Sequence, residues 1–332
     1  MKTIYKYITA LFIAAFLCSC ENTIEFDGEA GKPKLVLHCF LYSGEPIMLT
    51  LQTGKFFLSN ERIKPVRNAT VQVYCNDQFI ETMKIPNDND YMHQYFGNFR
   101  PRPGDKVSLK VSAPNFEPVD CSTVMPQPPV IQKVDYTGEV KRDFYIFERF
   151  DEINNIMVQD TMYQFDENYD MICHISDPGN IRNYYGFSGT HYVFCYEDGS
   201  KESSPININS NDIVFGIEES ELFDSQENRH KIFSDELFNG KVYQLKFDYN
   251  YTFFNATNNT HSYYQPYIKS RECHVRLYSI TEEHYLYLRT LEASGNDSFF
   301  TEPVQIYSNV NGGIGILAAC TSTDYVIQMP VK

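Results

Sequence analysis

A chain of 332 residues with 43 acidic against 28 basic side chains has a formal net charge of −15. That balance excludes a surface that tracks phosphate backbones, which needs clustered Lys and Arg. A hydrophobic share of 42% and a charged share of 21% exclude a disordered polyelectrolyte and describe a globular chain.

The N-terminus reads as a targeting segment. Lys2 and Lys6 form a charged region, and Tyr7 to Leu17 is an apolar run. A bilayer-spanning helix needs about 20 apolar residues, so this run suits a secretory leader rather than an anchor. Leu17-Cys18-Ser19-Cys20 has the form of a bacterial lipobox, in which the last cysteine is acylated and becomes the first residue. An ordinary signal peptide that contains cysteine is the plainer alternative. Residues 1–19 are therefore expected to be a lipoprotein signal peptide and 20–33 a lipidated tether. Lipid on Cys20 would hold the chain on a membrane, because each buried CH₂ contributes roughly 0.8 kcal/mol and several chains anchor stably. No later segment has the length of an apolar membrane span.

Short strands follow. With 25 Tyr, 25 Phe and no Trp, the aromatic load favours strands. Lys34–Tyr42, Pro46–Gln52, Asn68–Cys75, Gln78–Lys84, Lys106–Val111 and Glu117–Val124 alternate or are bounded by turn residues. Ala69, Val71, Val73 and Cys75 share one side of their strand. This spacing predicts an immunoglobulin-like β-sandwich over residues 34–125. Met125-Pro-Gln-Pro-Pro129 is stiff and extended, and 126–130 is the expected Pro-rich linker. Residues 131–332 are expected to form a larger β-rich domain. Its strands are Asp170–Ile175, Asn183–Phe187, Thr190–Tyr196, Lys241–Thr252, Glu272–Tyr278 and Val326–Met329, with loops over 197–211 and 218–230. One helix, about 281–294, carries Tyr285, Leu288 and Leu291 on one stripe, facing a sheet. Either Ser279 with Glu282 caps it as a capping box, or Thr281 does, with Ile280 and Tyr285 as a staple. Gly295 suits its end. The fold class is mostly β.

Seven cysteines remain beyond the lipobox: Cys39, Cys75, Cys121, Cys173, Cys195, Cys273 and Cys320. The odd count leaves at least one without an intrachain partner. Most read as small hydrophobes on strands, and one or two disulfides remain compatible with the pattern.

The chemical motifs fail on context. Gly313-Ile-Gly315-Ile-Leu-Ala318 has the letters of a dinucleotide fingerprint but lacks room for the helix and acid that must follow. A glycine bulge or tight backbone approach explains it. Gly186-Phe-Ser188-Gly189 places its second glycine one position early for a nucleophile elbow. His38-Cys39, Cys173-His174 and Cys273-His274 are adjacent on strands, so each pair points to opposite faces and cannot easily share a metal. Asn87-Asp-Asn-Asp90 lacks the glycine and closing glutamate of a calcium loop. Glu148, Asp151 and Glu152 read as loop surface. Tyr249 to Thr260, leading into Tyr263–Tyr267, suits either a carbohydrate- or peptide-contacting surface or a hairpin with half-buried aromatics, and the hairpin is favoured. No catalytic, metal or cofactor residue is expected. The ligand-binding residues stay open, and Cys20 is the one site residue.

The order of these pieces resembles one family. After the lipobox come Lys34-Leu-Val-Leu37, Val66-Arg-Asn-Ala-Thr-Val71, Pro103-Gly-Asp105 and Met125–Pro129. Then come Phe233–Lys241, Leu277–Leu288, Phe300–Val304 and Ser308–Gly315. This series resembles a Bacteroidetes lipoprotein family catalogued as domain of unknown function 4249. The resemblance brings no activity or catalytic residues. It implies an outer-membrane location and association with TonB-dependent receptors. The leading expectation is a non-enzymatic accessory or binding subunit of such a receptor, anchored through Cys20. Which face of the membrane it occupies is left open. A structural or adhesive surface lipoprotein is the alternative, and a hydrolase assembled from distant acids and histidines comes third. Nucleic acid is not an expected partner.

Overall fold

The computed structural model describes residues 33–54, 63–86, 94–151, 154–179, 181–195, 201–206, 208, 212–216, 230–256, 268–294 and 304–330. Fifteen strands and one helix run through them. They are β1 (Leu35–Tyr42), β2 (Met48–Thr53), β3 (Thr70–Cys75), β4 (Gln78–Thr82), β5 (Gln94–Phe96), β6 (Lys106–Ser112), β7 (Val119–Val124) and β8 (Val130–Asp151). Then follow β9 (Ile156–Ser176), β10 (Tyr184–Cys195), β11 (Lys201–Pro205), β12 (Ile232–Ser234), β13 (Val242–Ala256), β14 (Ile268–Ile280), α1 (Glu282–Ser294) and β15 (Ile314–Met329). The fold is mostly β, as its alternating sequence implies.

Period-two patterning builds the first layer pair. In β1, Leu35, Leu37, Cys39 and Leu41 are buried while the residues between them are not. The same alternation puts Val71 and Val73 of β3 and Val107, Leu109 and Val111 of β6 into one core with them. Asn76 and Asp77 both adopt positive φ, 50° and 65°, the geometry of the tight turns that suit hairpin twist. They close β3 onto β4. The sheet β4-β3-β6-β7 thus faces β1, β2 and β5 across an apolar interior.

Residues 34–125 do not complete this sandwich alone. β15 lies beside β1 in parallel, from Val36 opposite Ile314 to Tyr42 opposite Cys320. Leu317 and Ala319 join the first core. The later half of β15 pairs antiparallel with β14, from Ile280 opposite Cys320 to Arg271 opposite Met329. Ile327 and Met329 enter a second core. One sheet, ordered β11-β10-β14-β15-β1-β2-β5, therefore serves both halves. The proline-rich segment does not hang free either. Thr321 donates its hydroxyl to the Pro126 carbonyl and Thr323 to that of Pro129, and Met125 is buried.

The second core is closed by a three-stranded sheet, β13-β9-β8. Its strands β8 and β9 have 22 and 21 residues, and most of that length was not foreseen. Charge-rich stretches such as Lys141-Arg-Asp143 interrupt the apolar alternation that marks a half-buried strand. The two expected strands at 183–187 and 190–196 are one, β10, whose glycines stay in register opposite Tyr278 and Val275 of β14.

The helix packs on the opposite face of the large sheet. Tyr285 and Leu288 meet Tyr184, Ile232, Ile280 and Cys320, and Tyr287 and His284 meet Phe40. Thr281 is the cap: its Oγ1 accepts from the His284 N–H at 3.4 Å, while Ser279 belongs to β14. Gly295 lies outside the described residues. Among those residues no helix is long and apolar enough to cross a membrane.

Candidate functional site

The three-stranded sheet has two unlike faces, and period-two geometry separates them. Phe247, Tyr249, Tyr169 and Met171 point into the second core. Their sequence neighbours Asp248, Asn250, Asn168 and Asp170 point the other way. Cross-strand register sets these polar residues in rows. Thr137, Asp170 and Asp248 form one row, and Glu139, Asn168 and Asn250 form the next. Glu139, Asn168, Asp170, Asp248 and Asn250, together with Gly138 and Tyr169, line an open recess of about 540 Å³. Gly138, directly opposite Tyr169, has no room for a side chain: a Cβ there would lie 2.1 Å from the Asn168 carbonyl oxygen and 2.6 Å from the Tyr169 ring. The ring of Tyr136 meets that of Tyr169 edge-on at 5.6 Å.

The recess presents three carboxylates and two amides. Asp170 and Asp248 stand directly opposite each other on neighbouring strands, an arrangement that costs roughly 0.2–1 kcal/mol. In the next row, Thr252 donates its hydroxyl to Asp166 at 2.7 Å and Gln164 adds its amide. These two bonds hold the Asp166 carboxyl below its ordinary range. Such a face accepts and donates hydrogen bonds over a shallow area, which suits polyhydroxylated or cationic ligands. Among the described residues no group of His, Cys, Asp or Glu is set to hold a metal ion.

A buried polar cluster lies on the opposite face. Arg271 of β14 forms a two-pronged pair with Glu167 of β9, at 2.8 and 2.5 Å, and donates to the Pro330 carbonyl at 3.2 Å. Both side chains are almost wholly buried. Burial works against the Arg271 charge, and Glu167 more than offsets it. The guanidinium sits 5.1 Å from the Tyr251 ring. His191 of β10 packs 4.0 Å from the same ring and 6.0 Å from that of Tyr249. The cluster ties the two sheets together across the core.

His191 gives that core a pH signature. It is 1% exposed, and neither ring nitrogen has a hydrogen-bond partner among the described residues. Burial first, and the Arg271 charge second, hold its pKa down at about 4. The unfolded chain binds this proton near 6.5, while the folded chain resists it until about 4. Stability is therefore unaffected above pH 6.5 and falls as pH drops through that window. The loss reaches on the order of 3 kcal/mol. His284, which burial also holds at about 4, acts in the same direction. Urea midpoints measured at pH 7 and pH 4.5 should fall steeply for the native chain and less steeply for His191→Phe.

The residues singled out from sequence fall elsewhere. Cys20 and Asn87–Asp90 lie outside the described residues, as do Glu152 and residues 257–267. Cys173 is buried in the second core while His174 bonds Asp135 at 2.9 Å on the other face. Cys273 and His274 divide likewise, His274 bonding Glu272 at 2.8 Å. Cys39, Cys75, Cys121, Cys173, Cys273 and Cys320 are unbridged, and all but Cys75 are buried. The side chain of Cys195 lies outside those described. Ser188 sits within β10 and donates to the Tyr278 hydroxyl at 3.4 Å. Gly315 is a tight backbone approach, its Cβ position 1.9 Å from the Leu37 carbonyl oxygen. Of the span read as a hairpin, Tyr249–Ala256 belongs to β13, which pairs with β9; Tyr249 is buried and Tyr251 half-buried against the second core, and the remainder lies outside the described residues.

The recess residues were missed individually. The alternation Asp248-Tyr-Asn250-Tyr marks a polar strand face, but nothing local tells which strand lies beside it.

No curated protein matches the chain. The family model for the domain of unknown function DUF4249 matches residues 21–325, and the chain belongs to that family.

Proposed function

We propose that this chain is an outer-membrane lipoprotein, anchored through lipid on Cys20, that serves as a non-enzymatic accessory or binding subunit of a TonB-dependent receptor. The observation that carries the binding role is the recess of Glu139, Asn168, Asp170, Asp248 and Asn250. Its facing carboxylates, Asp170 and Asp248, oppose folding, and local rules broken at a cost to stability concentrate at functional surfaces. The lipobox around Cys20 supports the membrane location. Retention of the native chain with a receptor from detergent-solubilised outer membrane is the expected result, and recovery only as a free protein, under conditions that preserve known receptor complexes, overturns the assignment. Asp248→Asn should raise the unfolding free energy by about 0.2–1 kcal/mol and lower retention with the receptor.

A structural or adhesive surface protein is the second reading. It draws on the outer edge of β8, which no strand among the described residues covers. Ladders of oligomers after cross-linking would favour it.

A further inference from the structure

We propose that the outer edge of β8 is a homodimer interface, in which two copies pair their β8 strands antiparallel about a two-fold axis at Arg142. In that dimer Tyr145 of each copy closes the open side of the other's recess. The second statement rests on reading the recess as a binding site.

β8 is a 22-residue strand at the border of its sheet. Among the described residues only β9 pairs with it, and its outer row of N–H and C=O groups has no strand beside it. A border of this length is a template for a further strand. Phe144, Tyr145 and Ile146 on it are 62%, 49% and 62% exposed, so they stand ready for contact.

Charge order selects a second copy as the occupant. In antiparallel pairing, directly opposed residues lie on the same face. With the axis at Arg142, Lys141 of each copy faces Asp143 of the other, and Lys133 faces Asp151. The two-fold repeats each match. Val140 then faces Phe144. Moving the axis to Lys141 sets Glu139 against Asp143. Moving it to Asp143 sets that residue against itself and Asp135 against Asp151. Either step replaces attraction with repulsion between directly opposed side chains. Arg142 meets its own copy at the axis, but its guanidinium already lies over the Tyr163 ring of its own chain, at 4.0 Å. The same register brings Tyr145 opposite Glu139. Both residues lie on the recess face, where Glu139 forms one wall. An exposed aromatic ring thereby reaches a site whose own lining is mostly carboxylate and amide.

Paired cysteines test the register in membranes carrying the full chain. A bifunctional thiol reagent shorter than about 13 Å cannot join residues four apart on one strand, given the rise of about 3.3 Å per residue. Val140→Cys and Phe144→Cys, each alone, should give no covalent dimer, which also controls for the native cysteines. The double variant should give a dimer band. Glu139→Cys with Tyr145→Cys should do the same on the recess face. Lys141→Asp in the Val140→Cys/Phe144→Cys background should abolish the band, and adding Asp143→Lys should restore it. Labelling with a monofunctional maleimide, with circular dichroism matching the parent, shows that the variants are folded and their thiols accessible. Four results overturn the proposal. They are reactive thiols without a dimer, equal cross-linking by either single variant, a ladder of higher oligomers, and capture of a different protein. Each reads the contact between copies directly, so failure here and failure of receptor co-purification are separate outcomes.

Discussion

Gly315→Ala should be among the costliest alanine substitutions on the large sheet. Gly315 opens β15 opposite Leu37 of β1, with φ at +117°. That backbone conformation alone costs a side-chain-bearing residue roughly 1–3 kcal/mol. Space adds to it, because a Cβ would lie 1.9 Å from the Leu37 carbonyl oxygen and 2.9 Å from its backbone nitrogen. Backbone cannot rotate away as a side-chain tip can. Either β1 and β15 separate locally or the glycine position must distort, and both routes disturb Leu317 and Ala319 in the first core. A loss above about 4 kcal/mol is expected, read as a drop in the urea midpoint or as failure to recover folded protein. Gly44→Ala is the matched control. Gly44 also has a positive φ, 78°, but nothing lies within 4 Å of its Cβ position. It should lose only about 1–2 kcal/mol.

The second large effect belongs to Arg271 and Glu167. Their two hydrogen bonds cross from the large sheet to the three-stranded one in the second core. Arg271→Met leaves a buried carboxylate, and Glu167→Leu leaves a buried guanidinium. Each single change should cost about 3–5 kcal/mol. The double variant removes both charges from an apolar surround that includes Tyr249 and the ring of Tyr251. It should recover most of that loss, because well-packed apolar replacements of buried pairs are often neutral or stabilising. A double-mutant cycle of denaturant midpoints checks this, and additive losses would contradict it. The pair also selects register. β9 offers alternating apolar residues over much of its length, and a two-residue slip along β13 would preserve that alternation while separating Glu167 from Arg271.

Short-range patterning was legible wherever one strand face is apolar and the other polar. Val71 and Val73, or Val107, Leu109 and Val111, identify buried faces without reference to any partner. The helix was legible too, because Tyr285, Leu288 and Leu291 repeat at helical spacing. Only the folded chain decides its cap between Ser279 and Thr281, since both are hydroxyl residues near the same turn. β8 was hidden for the opposite reason. From Asp135 to Ile146 one residue after another is exposed or only half-buried, so burial does not write an alternating pattern into its sequence. Its strand character comes from hydrogen bonds to β9, whose own alternation is clear from Phe165 to Met171.

The recess shows the same limit at the level of chemistry. Asp170 and Asp248 are 78 positions apart, and the sequence around neither tells which strand lies beside it. They meet because β9 and β13 happen to pair in one register. Cys20 is the contrary case: its setting is entirely local, a charged region, an apolar run and a small residue before the thiol.

Composition and periodicity thus carry the β class, the buried strand faces and the helix, because each depends on residues within one or two turns or along a single strand. The placement of β15 between β1 and β14, the tie between Arg271 and Glu167, and the convergence of five polar side chains on one sheet face required the folded chain. Strand partners are chosen by hydrogen bonds between backbones, which all residues but proline offer alike. The choice among them is made by the packing of side chains far apart in sequence, and no local window contains it.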